Sequence, residues 1–204
     1  MSVSEDREVT PAVQPAAPAA TIADPGPLGL AAFALTTFLL SAVNAHWTNG
    51  NSAGTAFLGY ALAYGGLAQL LAGMWEFRRG NVFAATAFSS YGGFWIGLFV
   101  WIRVAPAATG HDLGWILLAF AIFNTYMLLL SAQINMAVFL VFLTLELTEI
   151  FLFIGNFTSS AGLSQVGGYL GVITALVAWY TSAAGVSAGI GGKIILPVGK
   201  PLIS

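Results

Sequence analysis

The sequence has no cysteine and very few charges, with six Lys and Arg and eight Asp and Glu among 204 residues. Without cysteine there is no disulfide framework, no thiolate nucleophile and no Cys-based metal site. With only 7% charged residues against 58% hydrophobic ones, the chain cannot cover the surface of a soluble domain, in which about a quarter of residues are charged. Apolar patches of that extent would associate or aggregate in water. The class that remains is an all-α polytopic membrane protein. In such a protein the net charge of −2 is uninformative about nucleic acid, and no nucleic-acid partner is expected.

Catalytic chemistry is also missing. The two histidines, His46 and His111, lie at a span end or in a loop, with no carboxylate or second histidine at metal-ligand spacing. Asp6, Asp24 and Asp112 all fall outside the apolar runs, which removes an intramembrane aspartic protease. No lysine lies within a run, which removes a retinal Schiff base, and no phosphate-cradling loop of the Walker type occurs. "GVSAG" at Gly185 to Gly189 matches the nucleophile elbow only as a string, since that motif needs a strand entering a turn and His and acid partners. No catalytic residue, metal or cofactor is therefore expected, and the chain does not read as an enzyme.

What the chain does contain is apolar length. A bilayer core of about 30 Å needs roughly 20 helical residues, and six runs meet that measure, at 28–47, 53–75, 83–102, 113–131, 136–157 and 166–190. The expected organisation is a disordered Pro/Ala-rich arm at 1–23, a six-helix domain at 24–192 around a narrow central path, and a short cytoplasmic tail at 193–204. The arm is acidic first, through Glu5, Asp6 and Glu8, so it lacks the basic start of a signal peptide and no cleavage is expected. Arg7, Arg78, Arg79, Lys193 and Lys200 fall on one side and only Arg103 on the other, which puts both termini in the cytoplasm. Trp47, Trp75, Trp101 and Trp115 near span ends read as interfacial anchors. Ala61 and Gly65, Gly93 and Gly97, and Gly185 and Gly189 repeat small residues at four-residue spacing, which permits close helix approach.

Polar side chains inside spans are costly, so each must face a partner, a cavity or water. Phe33, Thr37, Leu40 and Asn44 share one face of span 1, with Thr36 beside it. Span 2 aligns Gly65, Gln69, Ala72 and Glu76, and span 3 aligns Thr86, Ser90, Gly93 and Gly97. Two readings stand side by side: the wall of a partly polar conduit, or interhelical hydrogen bonds with no passage. In span 5, Glu146 and Glu149 are three apart and share a helix side. A charge at mid-span costs about 2.5 to 3.5 kcal/mol on insertion scales, so at least one of the two is expected to be protonated. A proton-carrying carboxyl and a hydrogen-bonded structural pair are equally open for them. Glu76, beside Arg78 and Arg79, reads equally as an interfacial ion pair.

The segment "DPGPLGL", Asp24, Pro25, Gly26, Pro27, Leu28, Gly29 and Leu30, reads as a helix start. Asp24 is expected as N-cap, with Pro25 at the first helical position and Pro27 still in the first turn, where its missing N–H removes an orphan donor.

These residues carry a resemblance. "DPGPLGLAAFALTTFLL" resembles the "NPAPLGL" signature and span 1 of the acetate uptake transporters, also called succinate–acetate permeases. The likeness continues through "YGGLAQLLAGMWEFRRGNVFAATAFSSYGGFW" from Tyr64 to Trp95, "IGN" at the end of span 5 and "ILPVG" in the tail, and covers nearly everything after residue 23. It implies a homohexamer in the bacterial plasma membrane, surrounded by lipid, each protomer passing acetate and similar small carboxylates. It implies an apolar constriction at Phe33, Tyr91 and Leu145, and polar path positions at Thr36, Thr37, Asn44, Gln69, Glu76 and Asn81. The signature Asn is Asp24 here and its Ala is Gly26, which removes the family pattern's neutral first position. Glu146 and Glu149 inherit no role from the resemblance. As possible proton sites they lead to an expectation of proton-coupled uptake of acetate, ahead of propionate and lactate and then succinate. The alternative is a passive anion or urea-type small-solute channel.

Overall fold

A computed structural model describes residues 22–48, 57–104, 109–191 and 193–203. The expected arm up to residue 21 lies outside them, as does the start expected for span 2. Among the described residues six helices are long and apolar enough to cross a membrane: α1 (Gly26–Asn44), α2 (Phe57–Arg79), α3 (Val82–Val104), α4 (Gly110–Ser131), α5 (Met136–Phe157) and α6 (Ala161–Gly189).

The helix ends follow local chemistry. At the α2–α3 corner Gly80 takes φ 78°, the left-handed turn that closes a helix on glycine, and Asn81 Oδ1 then accepts from Ala84 N at 3.2 Å. Thr109 and Asp112 form a reciprocal capping box at the start of α4. Asn135 caps α5 by accepting from Val138 N at 2.9 Å, and Ser160 caps α6. α2 continues past the expected end at residue 75 to Arg79, because hydropathy falls at Glu76, Arg78 and Arg79 but helical hydrogen bonding does not. For the same reason the polar first turn of α6, from Ala161, was not visible as apolar length. Within α2, residues Ala61–Ala68 are wound as a π-helix.

α1 is the central element, packed along α6 and against α2 and α3. Its seam with α6 is set by glycine: a Cβ at Gly168 would collide with the backbone of Ala45, and one at Gly171 with the side chain of Ser41. Helices α4, α5 and α6 pack in sequence, as do α2 and α3. The two arcs meet through aromatic side chains, Phe83 of α3 on Phe142 of α5 and Phe94 of α3 on Phe120 of α4, with centroids 5.3 and 4.7 Å apart. The largest buried cluster lies at this closure and includes Phe33, Tyr91, Met127, Phe142 and Leu145.

The small-residue pairs divide. Ala61 is fully buried, and a Cβ at Gly65 would stand 2.5 Å from Thr36 Oγ1, so this pair seats α2 on α1. Gly185 faces Pro27, but Gly93, Gly97 and Gly189 face open space. Leu71, Ile122, Leu129 and Leu176 point outward and are more than half exposed, as lipid-facing side chains do. Trp47, Trp75 and Trp115 are also exposed. Residues 193–203 return along the bundle: Ala137 N donates to Val198 O, and Leu202 N and Ile203 N both donate to Ala132 O.

Candidate functional site

Two cavities lie end to end inside the bundle, one of about 330 Å³ and one of about 40 Å³. The larger begins beside Asp24 and Asn81 and runs inward past Glu76 and Gln69. The smaller is bounded by Thr37, Ser41 and Asn44 of α1 and by Trp95, Thr148 and Glu149 opposite. They have three lining residues in common, Phe33, Tyr91 and Leu145. Each of the three is at least 94% buried, and the rings of Phe33 and Tyr91 meet edge to face with centroids 5.6 Å apart. Phe94, Phe120 and Phe123 pack around Tyr91 as well. The separation between the cavities is therefore one layer of side chains drawn from α1, α3 and α5.

The other sequence-derived positions fall in three groups. Gln69, Glu76 and Asn81 line the larger cavity, and Thr37, Asn44 and Glu149 line the smaller. Thr36 lines neither: its hydroxyl donates to Ala32 O at 3.0 Å and the side chain fills the α1–α2 seam against Gly65. Adjacent residues on a helix differ by about 100° in direction, and here that turn leaves Thr37 on the smaller cavity and Thr36 in the seam. Glu146 is half-buried on the α4 side of α5.

Buried polar atoms are nearly always paired in native structures. Five described ones are not: Thr37 Oγ1, Gln69 Oε1, Ser89 Oγ, Trp95 Nε1 and Glu149 Oε2. Four of the five belong to residues lining the two cavities. Such atoms are available to a solute or water passing between them.

A hydrogen-bonded chain crosses the closure. The Tyr91 hydroxyl is 3.0 Å from Asn124 Oδ1 and 3.3 Å from Glu149 Oε1. Asn124 Nδ2 donates to the Phe142 carbonyl at 3.0 Å and to Glu146 Oε2 at 2.7 Å, and Thr125 Oγ1 donates to Glu146 Oε1 at 2.8 Å. The two glutamates thus do not touch a common solute; one lines the smaller cavity and the other anchors the far end of this chain. Asn124 is fully buried and was missed by the sequence reading. Its signal was available, since an amide in the middle of an apolar span must find partners.

At the mouth of the larger cavity the expected cap is displaced. Helix α1 begins at Gly26 with Pro25 as its N-cap, which makes no side-chain cap bond. Asp24 stands one position further out, where Oδ1 accepts from Gly26 N at 2.9 Å and from Arg79 Nη1 at 2.5 Å. Arg79 also reaches Glu76 Oε2 at 3.5 Å. The same oxygen thus meets the first N–H of α1 from outside the cap position and ties it to Arg79 across the α1–α2 gap. Asp24 and Glu76 are thus both tied to one arginine.

The model of the GPR1/FUN34/yaaH family matches residues 6–199. The chain is 39% identical over 189 residues to Ammonia transport outward protein 2 of Saccharomyces cerevisiae, covering 88% of this chain and 66% of that protein. It is 33% identical to the Succinate-acetate/proton symporter SatP of Escherichia coli, covering 88% of this chain and 96% of that one. A solved structure of the bacterial acetate channel SatP superposes with a TM-score of 0.81 at 32% identity, over 88% of this chain and 100% of that one. The chain spans about two thirds of the length of the two yeast relatives it matches at 39–40% identity.

Proposed function

The chain belongs to the GPR1/FUN34/yaaH family, and from that membership we propose that it carries acetate and related small monocarboxylates across a membrane, coupled to a proton, through an apolar constriction at Phe33, Tyr91 and Leu145. One observation carries the reading: the two internal cavities share those three side chains and no others. Taking up one monovalent anion against an inside-negative potential costs about 2.3 kcal/mol per 100 mV, and one accompanying proton cancels that term. A closure made of two aromatic rings and a leucine favours a solute whose charge is neutralised, because a bare carboxylate would lose its hydration with nothing in return.

Thr37, Asn44, Gln69, Glu76 and Asn81 serve as polar stations on either side of the closure, Gln69 and Thr37 each with a buried oxygen unpaired. Thr36 is a packing residue. Glu149 is the proton site, supported by its burial and by its position on the smaller cavity against Tyr91. The larger cavity opens on the side where Asp24 and the tail-bound α4–α5 turn lie, and the excess of Arg and Lys there supports a cytoplasmic mouth in the plasma membrane. Assembly as a hexamer is supported by an outward groove between α3 and α4, lined by Gly93, Gly97, Phe120 and Phe123 and open within one protomer. A second copy of the chain fits it, since small residues at four-residue spacing accept a neighbouring helix.

A passive channel is the second reading, favoured by the description of the solved relative as an acetate channel. Uptake of radiolabelled acetate into proteoliposomes under imposed pH and voltage gradients separates the two. Accumulation above the equilibrium level with an inward proton gradient is expected, and downhill flux alone would establish the channel. No acetate flux, with flux of methylammonium or urea instead, would replace the carboxylate reading altogether.

A further inference from the structure

The Tyr91 hydroxyl has one proton and two acceptors in reach, Asn124 Oδ1 and Glu149 Oε1. The orientation of the Asn124 amide is not free. Its other face meets two acceptors, the Phe142 carbonyl and the Glu146 carboxylate, so the NH2 group must lie there and the carbonyl oxygen must face Tyr91. Both amide protons are then used, and Asn124 Oδ1 can only accept. If Tyr91 gives its proton to Asn124, the 3.3 Å contact to Glu149 is a hydrogen bond only when Glu149 itself supplies a proton. If Glu149 is ionised, it takes the Tyr91 proton and Asn124 Oδ1 is left buried and unpaired.

We propose that Asn124 is a positioning residue for the constriction: its amide holds the Tyr91 ring across the path, and the chain of hydrogen bonds it begins is complete only while Glu149 carries a proton. The direction of the Tyr91 hydroxyl therefore depends on whether Glu149 is loaded. Loaded, the order of donation is Glu149 to Tyr91 to Asn124, and the ring is tied to α4. Unloaded, Tyr91 turns its proton to Glu149 and its tie to α4 is lost. The chain does not conduct protons onward to Glu146, because a carboxamide passes a proton only by leaving its amide form. Glu146 is thus an anchor that fixes the amide, with Thr125 holding its second oxygen.

The surroundings make Glu149 the group that changes. Among the described residues, the titratable groups that face it are Tyr91 from α3 and Glu146 from its own helix. Across the smaller cavity α1 offers only the uncharged Thr37, Ser41 and Asn44. From α4 the network receives Asn124, and α6 contributes the hydroxyl of Thr174 to neighbouring Thr148 at 3.3 Å. Among the described residues no Lys, Arg or His takes part.

This inference rests on the proton-coupled reading for its functional meaning, but its test does not. Infrared spectra of the full-length protein in nanodiscs, recorded against pH, should show a protonated-carboxyl band that Glu149→Gln removes. Asn124→Leu should move the pH at which that band disappears downward by about one unit, because the freed Tyr91 hydroxyl then supports the carboxylate; one unit is a tenfold change in proton concentration. Tyr91→Phe should change the frequency of the band, and this variant serves if Asn124→Leu does not fold. Absence of a Glu149-dependent band, an unmoved midpoint in Asn124→Leu, or an unchanged frequency in Tyr91→Phe would each overturn the proposal, whatever the transport assay gives. If the spectra behave as expected and acetate flux is only downhill, the coupling reading fails and the positioning role stands.

Discussion

Phe33 and Tyr91 meet edge to face, ring planes inclined at 62°, at the junction of the two cavities. The edge-to-face arrangement is one that the ring quadrupoles favour, so the pair holds its place across the junction. The consequences of that closure, and of the seams that support it, can be measured.

Removing part of the layer should relax solute selection. Leu145→Ala takes three carbons from the junction without touching the Tyr91 network. We expect uptake of larger monocarboxylates such as butyrate to rise several-fold relative to acetate, measured by competition against labelled acetate. An unchanged selectivity would mean that the narrowest point lies elsewhere.

The pH response has a definite sign. Coupled uptake is fastest when the outside is acidic and declines as the outside pH rises, because proton supply falls. Glu149→Gln cannot exchange a proton, so its uptake should be flat across the same pH range in proteoliposomes. A wild-type-like pH profile in a folded Glu149→Gln protein would remove Glu149 from the coupling step.

The mouth of the larger cavity contains a pairing that can be taken apart. Arg79→Gln leaves Glu76 buried without its cation, and since Arg79 is one-third exposed, the cost should be on the order of 1 kcal/mol. The thermal unfolding midpoint in detergent should fall, and adding Glu76→Gln should recover most of the loss. If the double variant is no more stable than Arg79→Gln alone, Asp24 and not Glu76 is the partner that matters.

Two glycine substitutions should behave in opposite ways. Gly168→Ala meets the backbone of Ala45 and should destabilise the protomer by about 1 to 3 kcal/mol, since overpacking a tight seam forces backbone movement. Gly93→Leu meets open space within the protomer, so the protomer should stay folded while the proposed hexamer breaks down. Thermal unfolding reads the first, and native mass spectrometry the second. An intact hexamer in Gly93→Leu would move the subunit contact to another face.

The spans were legible because a 30 Å apolar thickness imposes a length that few other constraints produce. Their ends were less so: α2 runs on through Glu76, Arg78 and Arg79 because hydrogen bonding outlasts hydropathy, and Asp24 stands one position outside the expected cap, where it meets Gly26 N and also Arg79, a partner 55 residues away. The positions of Phe33, Tyr91 and Leu145 came from a motif-level resemblance, and apolar spacing alone would not have separated them from ordinary core residues. Thr36 and Thr37 illustrate the limit of a polar census, since hydropathy gives them the same score and only the helix rotation sends one to α2 and the other to a cavity. Asn124 was visible in principle as a lone amide in an apolar span, but its partners lie on α3 and α5, and sequence order does not bring those together.

The π-wound stretch Ala61–Ala68 gives α2 a different angular phase on its two sides. Gly65 within it points at α1 while Gln69 and Glu76 after it point into the larger cavity. Each residue of an α-helix advances roughly 100° around the axis. The wide turn takes in about one residue more than α-helical winding would, so deleting one residue within it would let it relax to α-helix while Gln69 to Arg79 keep roughly their present directions. The cavity mouth is therefore tolerant of a lost residue upstream and intolerant of one between Gln69 and Glu76, where the same deletion would turn Glu76 and Arg79 away from Gln69 by roughly 100° with every one of the three amino acids kept.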